Sequence, residues 1–355
     1  AERKSHAVEP TCILSEEKPM DFEQTLPREE HTMRLKGGLG RRISGIALWT
    51  AVAYVLLHLA LVPVFSLLTR TEHKKGNTPR NWGLAYQFHE VKGFPGFAIP
   101  AWYVPGAANK PIILVLTGSG GNKSGTIAKL MTLSLHEKGY NVFLFDTRGQ
   151  GQSRVIKTYG IGEAADVVRV LDHLSKIHPD KKIGAVGFSL GAASVLRAAG
   201  MDARLQAIAA YASYSELDSD LIRNGVAVQL KTMLRGKVPR KRHTYADYGV
   251  KAARWIVCPA LVRVSLKLWS GTFRSIPTPQ EAVAAFGDRA LLLMQNDGDP
   301  EIPVRQLDAL YQSAQTAKKQ KMSFRSNTHE PPLWNEQFRG RFKAIIQGFF
   351  GKNLR

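Results

Sequence analysis

Negative charge and cysteine are both scarce in this sequence. Its 49 Lys and Arg face only 29 Asp and Glu, a formal net charge of +20. A surplus of that size points to an anionic partner: nucleic acid, anionic lipid or an acidic substrate. Nucleic acid is disfavoured, because no basic motif is interleaved with aromatics. The basic residues gather in an N-terminal tail, beside one apolar run and in one late insert, which suits a membrane surface. The two cysteines stand far apart, and Cys12 lies in the polar tail. That argues against a structural disulfide and leaves no cysteine spacing for zinc. Internal repeats are absent as well. The rest of the composition, 44% hydrophobic and 22% charged, is ordinary for a globular protein and argues against wholesale disorder. With 355 residues the chain accommodates one large, well-buried domain plus an appendage.

Charge is missing altogether from Ile43 to Leu68. These 26 residues, ISGIALWTAVAYVLLHLALVPVFSLL, hold no Asp, Glu, Lys or Arg. As a helix rising about 1.5 Å per residue, the run exceeds a hydrocarbon core of about 30 Å. It is expected to cross a membrane once, with Pro63 kinking its far end. A cleaved signal peptide fits less well, since 42 residues precede the run and no small-x-small site ends it. Residues 1–42 are expected to form a disordered polar and basic tail. The numbering opens on Ala1 and not Met, which suggests a processed or trimmed N-terminus. Arg28, Arg34, Lys36, Arg41 and Arg42 precede the run, while Arg70, Lys74, Lys75 and Arg80 follow it. That small excess favours the tail inside and the large domain outside the cytoplasm. His58, mid-span, reads as a neutral side chain facing a helix partner, with an intramembrane functional group as the alternative.

After a linker, residues 69–85, short apolar strands alternate with amphipathic helices. Tyr86–Val91 and Phe97–Val104 read as an opening strand pair, and Ile112–Leu116 and Asn141–Phe145 as strands buried on both faces. Further strands are expected at Lys182–Val186, Leu205–Tyr211, Ala290–Met294 and Lys321–Arg325. Helices are expected at Gly125–Lys138, Ile161–Ile177, Gly191–Ala199, Val304–Lys318 and Trp334–Phe350. In the second of these, Ala165, Val168, Leu171 and Leu174 share one face. Repeated β-α units at this spacing demand a mostly parallel sheet with helices on both faces. The α/β domain is expected to comprise residues 86–214 and 277–355. Residues 215–276 interrupt it with a basic segment carrying Trp255 and Trp269, expected to be a helical cap over the ligand side.

The strand at Lys182–Val186 runs into Gly187-Phe188-Ser189-Leu190-Gly191, and a helix follows. A G-x-S-x-G turn between strand and helix lifts the serine hydroxyl clear of the backbone. Ser189 is therefore the candidate nucleophile. A serine hydroxyl is weak alone and needs a base oriented by an acid. Loops after the last two strands carry Asp297, Asp299 and His329. His329 is the candidate base. Asp299 is the preferred acid, with Asp297 its rival. His136, His173 and His178 lie on or beside helices and read as surface residues. Developing negative charge on an acyl oxygen needs N–H donors. The N–H of Leu190 is one candidate. Ser119, in the glycine-rich loop Leu116-Thr117-Gly118-Ser119-Gly120-Gly121-Asn122, is the candidate for the second. A phosphate-binding loop is disfavoured, because no Gly-Lys-Ser/Thr ending follows.

The glycine loop 117–122, the run Asp146-Thr147-Arg148-Gly149-Gln150-Gly151-Gln152-Ser153, Gly187–Gly191 and Asp299-Pro300-Glu301-Ile302-Pro303 together resemble the α/β-hydrolase superfamily over residues 84–350. The likeness is greatest to its membrane-associated acyl hydrolases, which have lysophospholipase, thioesterase and serine aminopeptidase relatives. It implies the α/β-hydrolase fold and makes Asp146–Ser153 a structural loop beside the active site. One departure is Thr117-Gly118, where many relatives have His-Gly. The expected activity is hydrolysis of lipid-like esters or thioesters through an acyl-Ser189 intermediate. Peptide or amide hydrolysis is the alternative, and a non-catalytic binding protein on the same fold the third reading. No metal and no organic cofactor is expected, and the partners are an acyl substrate and a membrane.

Overall fold

The computed structural model describes residues 31–73, 76–235, 254–272, 275–333 and 336–354. The apolar run lies in helix α1 (His31–Leu68). Residues 31–42 are helical and not part of a disordered tail. Once a helix is nucleated, each further residue adds one hydrogen bond at modest cost. The remainder of the expected tail, 1–30, falls outside the described residues. Ser44–Leu68 is long and apolar enough to cross a membrane, with a mean hydropathy of 2.3. By its contacts the chain divides into Ala1–Val52 and Ala53–Arg355. In the larger unit the end of α1 is not bare: His58, Val62, Phe65 and Ser66 are buried. The His58 Nε2 accepts the N–H of Cys258 at 2.9 Å, which leaves the ring proton on Nδ1, 2.8 Å from the Tyr54 carbonyl. The partner of His58 is therefore the backbone of the insert.

The segment expected as a linker is built into the domain. Strand β1 (Thr71–Glu72) pairs in parallel with β6 (Gln150–Gly151), and a 3-10 turn at Pro79–Trp82 buries Trp82. Eight further strands form one sheet: β2 (Gln87–Lys92), β3 (Ala98–Val104), β4 (Ile112–Leu116), β5 (Asn141–Phe145), β7 (Ile183–Phe188), β8 (Leu205–Tyr211), β9 (Ala290–Asn296) and β10 (Lys319–Phe324). Their order is β10-β9-β8-β7-β4-β5-β3-β2. The β2–β3 and β3–β5 pairs are antiparallel; the rest are parallel.

Between the strands lie α2 (Thr126–His136), α3 (Ile161–Ile177), α4 (Leu190–Met201), α5 (Ser219–Arg235), α6 (Pro259–Ser270), α7 (Pro279–Ala284), α8 (Val304–Ser313) and α9 (Glu336–Asn353). Alternation along β4 shows why both faces are covered. Ile112, Leu114 and Leu116 pack with Val167 and Val170 of α3 and Val195 of α4, while Ile113 and Val115 pack with Met131 of α2 and Phe342 of α9. The buried stripe of α3 is Ala164, Val167, Val170, Leu171 and Leu174, rotated from the expected one, so that Ala165 and Val168 sit at its margin. The helix after β9 ends at Ser313, and β10 starts two residues before its expected position.

Helices α5 and α6 come from the expected cap; its residues 236–253 and 273–274 lie outside the described residues. Val62 and Phe65 of α1 join Ile222 and Val226 of α5 and Val262 and Leu266 of α6 in a separate apolar cluster. The exposed indole of Trp255 and the half-exposed one of Trp269 belong to the same insert.

Candidate active site

Strands β4, β7, β8, β9 and β10 run parallel, so their C-terminal ends meet on one rim of the sheet. Ser189 follows β7 there with φ +51°, in the left-handed region that costs a residue with a side chain about 1–3 kcal/mol. Its N–H donates to the Tyr211 carbonyl at 2.8 Å, and its own carbonyl accepts the N–H of Ala193 at 3.0 Å. The flanking glycines allow the turn. A Cβ on Gly187 would stand 2.6 Å from Cα of Ala192, and one on Gly191 2.6 Å from the Thr117 carbonyl oxygen.

His329 Nε2 lies 2.8 Å from Ser189 Oγ, and its Nδ1 lies 2.8 Å from Asp299 Oδ2. The carboxylate of Asp299 is fully buried, and its other oxygen accepts the N–H groups of Glu301 (2.8 Å) and Ile302 (3.0 Å). Asp297 is not in this relay. Its Oδ1 accepts the N–H of Ser326 at 3.1 Å and ties the two loops together. Burial lowers the pKa of His329, but the Asp299 hydrogen bond and charge, with Glu301 and Glu330, outweigh it and leave the pKa above the ordinary imidazole value. Glu301 Oε2 stands 3.9 Å from Nε2.

The glycine loop after β4 meets Ser189 directly. A Cβ on Gly118 would be 3.1 Å from Ser189 Cβ and 3.7 Å from Oγ. Among the described residues, the N–H groups of Ser119 and Leu190 donate to no acceptor. A tetrahedral oxyanion requires such uncommitted donors beside the nucleophile.

Several residues that sequence reading did not single out support these groups. Asn296 Nδ2 donates to the carbonyls of Thr328 (2.7 Å) and Glu330 (3.0 Å) and so straddles His329. Tyr211 donates its hydroxyl to the same Glu330 carbonyl at 3.1 Å. Gln150 and Lys157 reach the glycine loop from the side. Burial pulls the Lys157 ammonium down to about 8, against the opposing pull of Glu163. Gln150 belongs to the run Asp146–Ser153, whose location beside the site was the available signal. The ammonium of Lys123 meets Asp146, and Arg148 Nε meets Asp166 at 2.8 Å, both pairs buried. His173 is half-buried against His89, 3.1 Å between ring nitrogens, and His136 donates to or accepts nothing from the site but lies 3.0 Å from the Pro105 carbonyl. No group of three metal-ligating side chains occurs among the described residues.

Known proteins share this frame. Residues 111–247 match the model of the alpha/beta hydrolase fold family. The chain is 25% identical over 137 residues to the uncharacterized protein YfhR of Escherichia coli, covering 36% of this chain and 48% of that one. It is 30% identical over 91 residues to the embryogenesis-associated protein EMB8 of Picea glauca, 25% of this chain and 20% of that one. These matches thus span half or less of the curated relatives. Among solved structures, the Pyrococcus furiosus esterase Pf2001 superposes with a TM-score of 0.60 at 17% identity, covering 81% of this chain and all of that one. The 2,6-dihydroxy-pseudo-oxynicotine hydrolase does so with a TM-score of 0.54 at 20% identity, over 77% and 69% of the chains. The fold is the α/β-hydrolase fold, and on its rim stands a Ser-His-Asp constellation of the kind serine hydrolases use.

Proposed function

We propose that this chain cleaves lipid-like carboxylic esters or thioesters through an acyl-Ser189 intermediate, with α1 holding it at a membrane. The observation that carries the reading is the unbroken relay Ser189–His329–Asp299, with both hydrogen bonds at 2.8 Å. His329 takes the Ser189 proton as Oγ attacks the acyl carbon. The oxyanion is received by the N–H groups of Leu190 and Ser119, a term for which one donor is commonly worth about 10²–10³ in rate. Collapse breaks the bond to the alcohol or thiol, which leaves with the proton from His329. Water then repeats the sequence, giving up its proton to His329 and releasing the acid. Asp299 keeps the imidazole proton on Nδ1 and stabilises the imidazolium.

An apolar cavity of about 100 Å³ supports a fatty acyl group. It is lined by Val62 and Phe65 of α1, Leu221 and Val226 of α5, and Val262 and Leu266 of α6. Leu221 also packs with Ala193, one turn after the nucleophile, and with Ile302, which donates to Asp299.

A fluorophosphonate probe is expected to label the wild type and not Ser189→Ala; equal labelling of both ends the proposal. Turnover of p-nitrophenyl esters from acetate to laurate, set beside aminoacyl amides, separates ester from amide hydrolysis. Val226→Trp is expected to cut turnover of the octanoate several-fold and spare the acetate. Proteolysis of sealed cells, which should reach the large domain from outside, tests the proposed orientation.

A further inference from the structure

If the N–H of Ser119 receives the oxyanion, something must keep it aimed at Ser189. The loop cannot do this unaided, because Gly118, Gly120 and Gly121 leave its peptide planes free to turn. Two fully buried side chains from outside the loop reach its carbonyls. Gln150 Nε2 donates to the Gly118 carbonyl at 2.5 Å, and Lys157 Nζ donates to the Ser119 carbonyl at 2.9 Å. The N–H of Gly121 also donates to the Gly118 carbonyl, at 3.0 Å.

In a trans peptide the carbonyl and the following N–H point in opposite directions. Drawing the Gly118 carbonyl toward Gln150 therefore turns the Ser119 N–H away from Gln150. Gly118 lies against Ser189, a Cβ on it standing 3.1 Å from Ser189 Cβ, and we take the side opposite Gln150 to be that of the nucleophile. A flipped 118–119 peptide would break both bonds to the carbonyl and present oxygen where the oxyanion forms. Lys157 holds the next peptide in the same manner.

Lys157 is in turn bound to the end of α1. Its N–H donates to Ser66 Oγ at 2.6 Å, and its Nζ stands 3.4 Å from both the carbonyl and the hydroxyl of Thr69. Just beyond, the Thr71 hydroxyl donates to the Gly121 carbonyl (3.1 Å), and Asn122 Nδ2 donates to the Glu72 carbonyl (2.9 Å). The chain leaving the apolar helix is thus bonded to the glycine loop at Gly121 and Asn122 and, through Lys157, at Ser119.

We propose that Gln150 and Lys157 are positioning residues that hold the Ser119 amide toward Ser189, and that Lys157 does so from the end of α1. This rests on Ser189 being the nucleophile and Ser119 an oxyanion donor. Its consequence is that the last turn of the apolar helix belongs to the catalytic apparatus as well as to the anchor.

The test uses the full chain in detergent, with Gln150→Leu and Lys157→Met. A p-nitrophenyl butyrate assay gives kcat and KM, a trifluoromethyl ketone that adds to the serine reports tetrahedral-adduct affinity, and a thermal melt reports folding. Each variant should lose about tenfold or more in kcat, short of the 10²–10³ for outright donor loss. KM should stay within about twofold, and the ketone should weaken by the same factor as kcat. A purely structural role would lower the melting temperature without that split. A folded Gln150→Leu with wild-type kcat and ketone affinity overturns the role of Gln150. Where Lys157→Met does not fold, Thr69→Val decides: a several-fold lower kcat supports the link to α1, and an unchanged one removes it. Wild-type turnover surviving in Ser189→Ala would instead overturn the underlying nucleophile assignment.

Discussion

Replacing Asp299 by Asn tests the relay at its most constrained point. The carboxylate has no solvent exposure and three partners: His329 Nδ1 at 2.8 Å and the N–H groups of Glu301 and Ile302 at 2.8 and 3.0 Å. Both backbone groups donate to Oδ1, so an Asn keeps its carbonyl oxygen there. Its NH2 then replaces Oδ2 and faces His329. A donor at that place stabilises the tautomer with the proton on Nε2, where it faces Ser189 Oγ and leaves the base without its lone pair. The same exchange in the best-studied serine protease triad costs about 10⁴ in kcat, and a comparable fall, about 5.5 kcal/mol of barrier, is expected here. The fold should survive, because the amide preserves shape and two of three bonds. Asp297→Asn, by contrast, touches only the Ser326 N–H and should leave kcat within about threefold and stability within about 1 kcal/mol. Steady-state kinetics on a soluble ester with circular dichroism of both variants checks this. Should Asp297→Asn prove the more damaging of the two, the assignment of the acid is wrong.

Other outcomes follow from the same geometry. The pKa of His329 is raised, and only the neutral ring accepts the serine proton, so kcat/KM should climb through a midpoint above the ordinary 6.5. In Asp299→Asn that limb should move to lower pH. The imidazolium stabilises the fold fully below the unfolded-state pKa, and this contribution disappears as pH rises through the higher folded value. Melting temperatures of His329→Gln should therefore fall further below wild type at pH 5.5 than at pH 8, and an equal deficit at both refutes the linkage. Gly191→Ala forces a methyl to 2.6 Å from the Thr117 carbonyl, with Leu116 close behind, and should cost about 1–3 kcal/mol in a chemical melt. Asp166→Ala leaves the buried Arg148 guanidinium without its carboxylate and should cost about 3–5 kcal/mol, read in the same way.

Much of the sheet was legible because periodicity is a local signal. Ile112–Leu116, Asn141–Phe145, Leu205–Tyr211 and the helix Ile161–Ile177 have the boundaries their patterns predict. The rim itself was legible from chain order, since parallel strands deliver Ser189, Asp299 and His329 to one edge. The preference for Asp299 over Asp297 was less legible, although it agrees with the 2.8 Å contact to His329. It depends on which carboxylate the turn Asp297–Ile302 points inward, and two residues in one loop share composition and periodicity. The face of α3 was misplaced by about one position because Gly162, Glu163 and Asp166 are buried too. Glu163 is consumed by the N–H groups of Thr158 and Gly160, and Asp166 by Arg148. Polar residues whose burial is satisfied by specific partners look exposed in a sequence. Gln150 and Lys157 stayed hidden as well, being buried polar side chains whose acceptors lie over thirty residues away.

The apolar helix shows how far a single local pattern can be read. Length and absence of charge describe Ser44–Leu68 as a membrane span, and nothing in that description distinguishes its two ends. Toward its C-terminal end, however, Val62 and Phe65 wall an apolar cavity, His58 accepts a backbone N–H from the insert, and Ser66 holds the backbone of Lys157. A pure tether would need none of these bonds, and its serine and histidine would be a burden in hydrocarbon. The histidine instead meets the backbone of the insert, and the partner of the serine, Lys157, lies one step from the glycine loop. An acyl chain in the cavity would touch the same helix whose final residues brace the oxyanion loop. Substrate binding and transition-state geometry would then share one structural element, so substitutions at Val62 or Phe65 should alter chain-length preference, whereas those at Thr69 should alter kcat at every chain length.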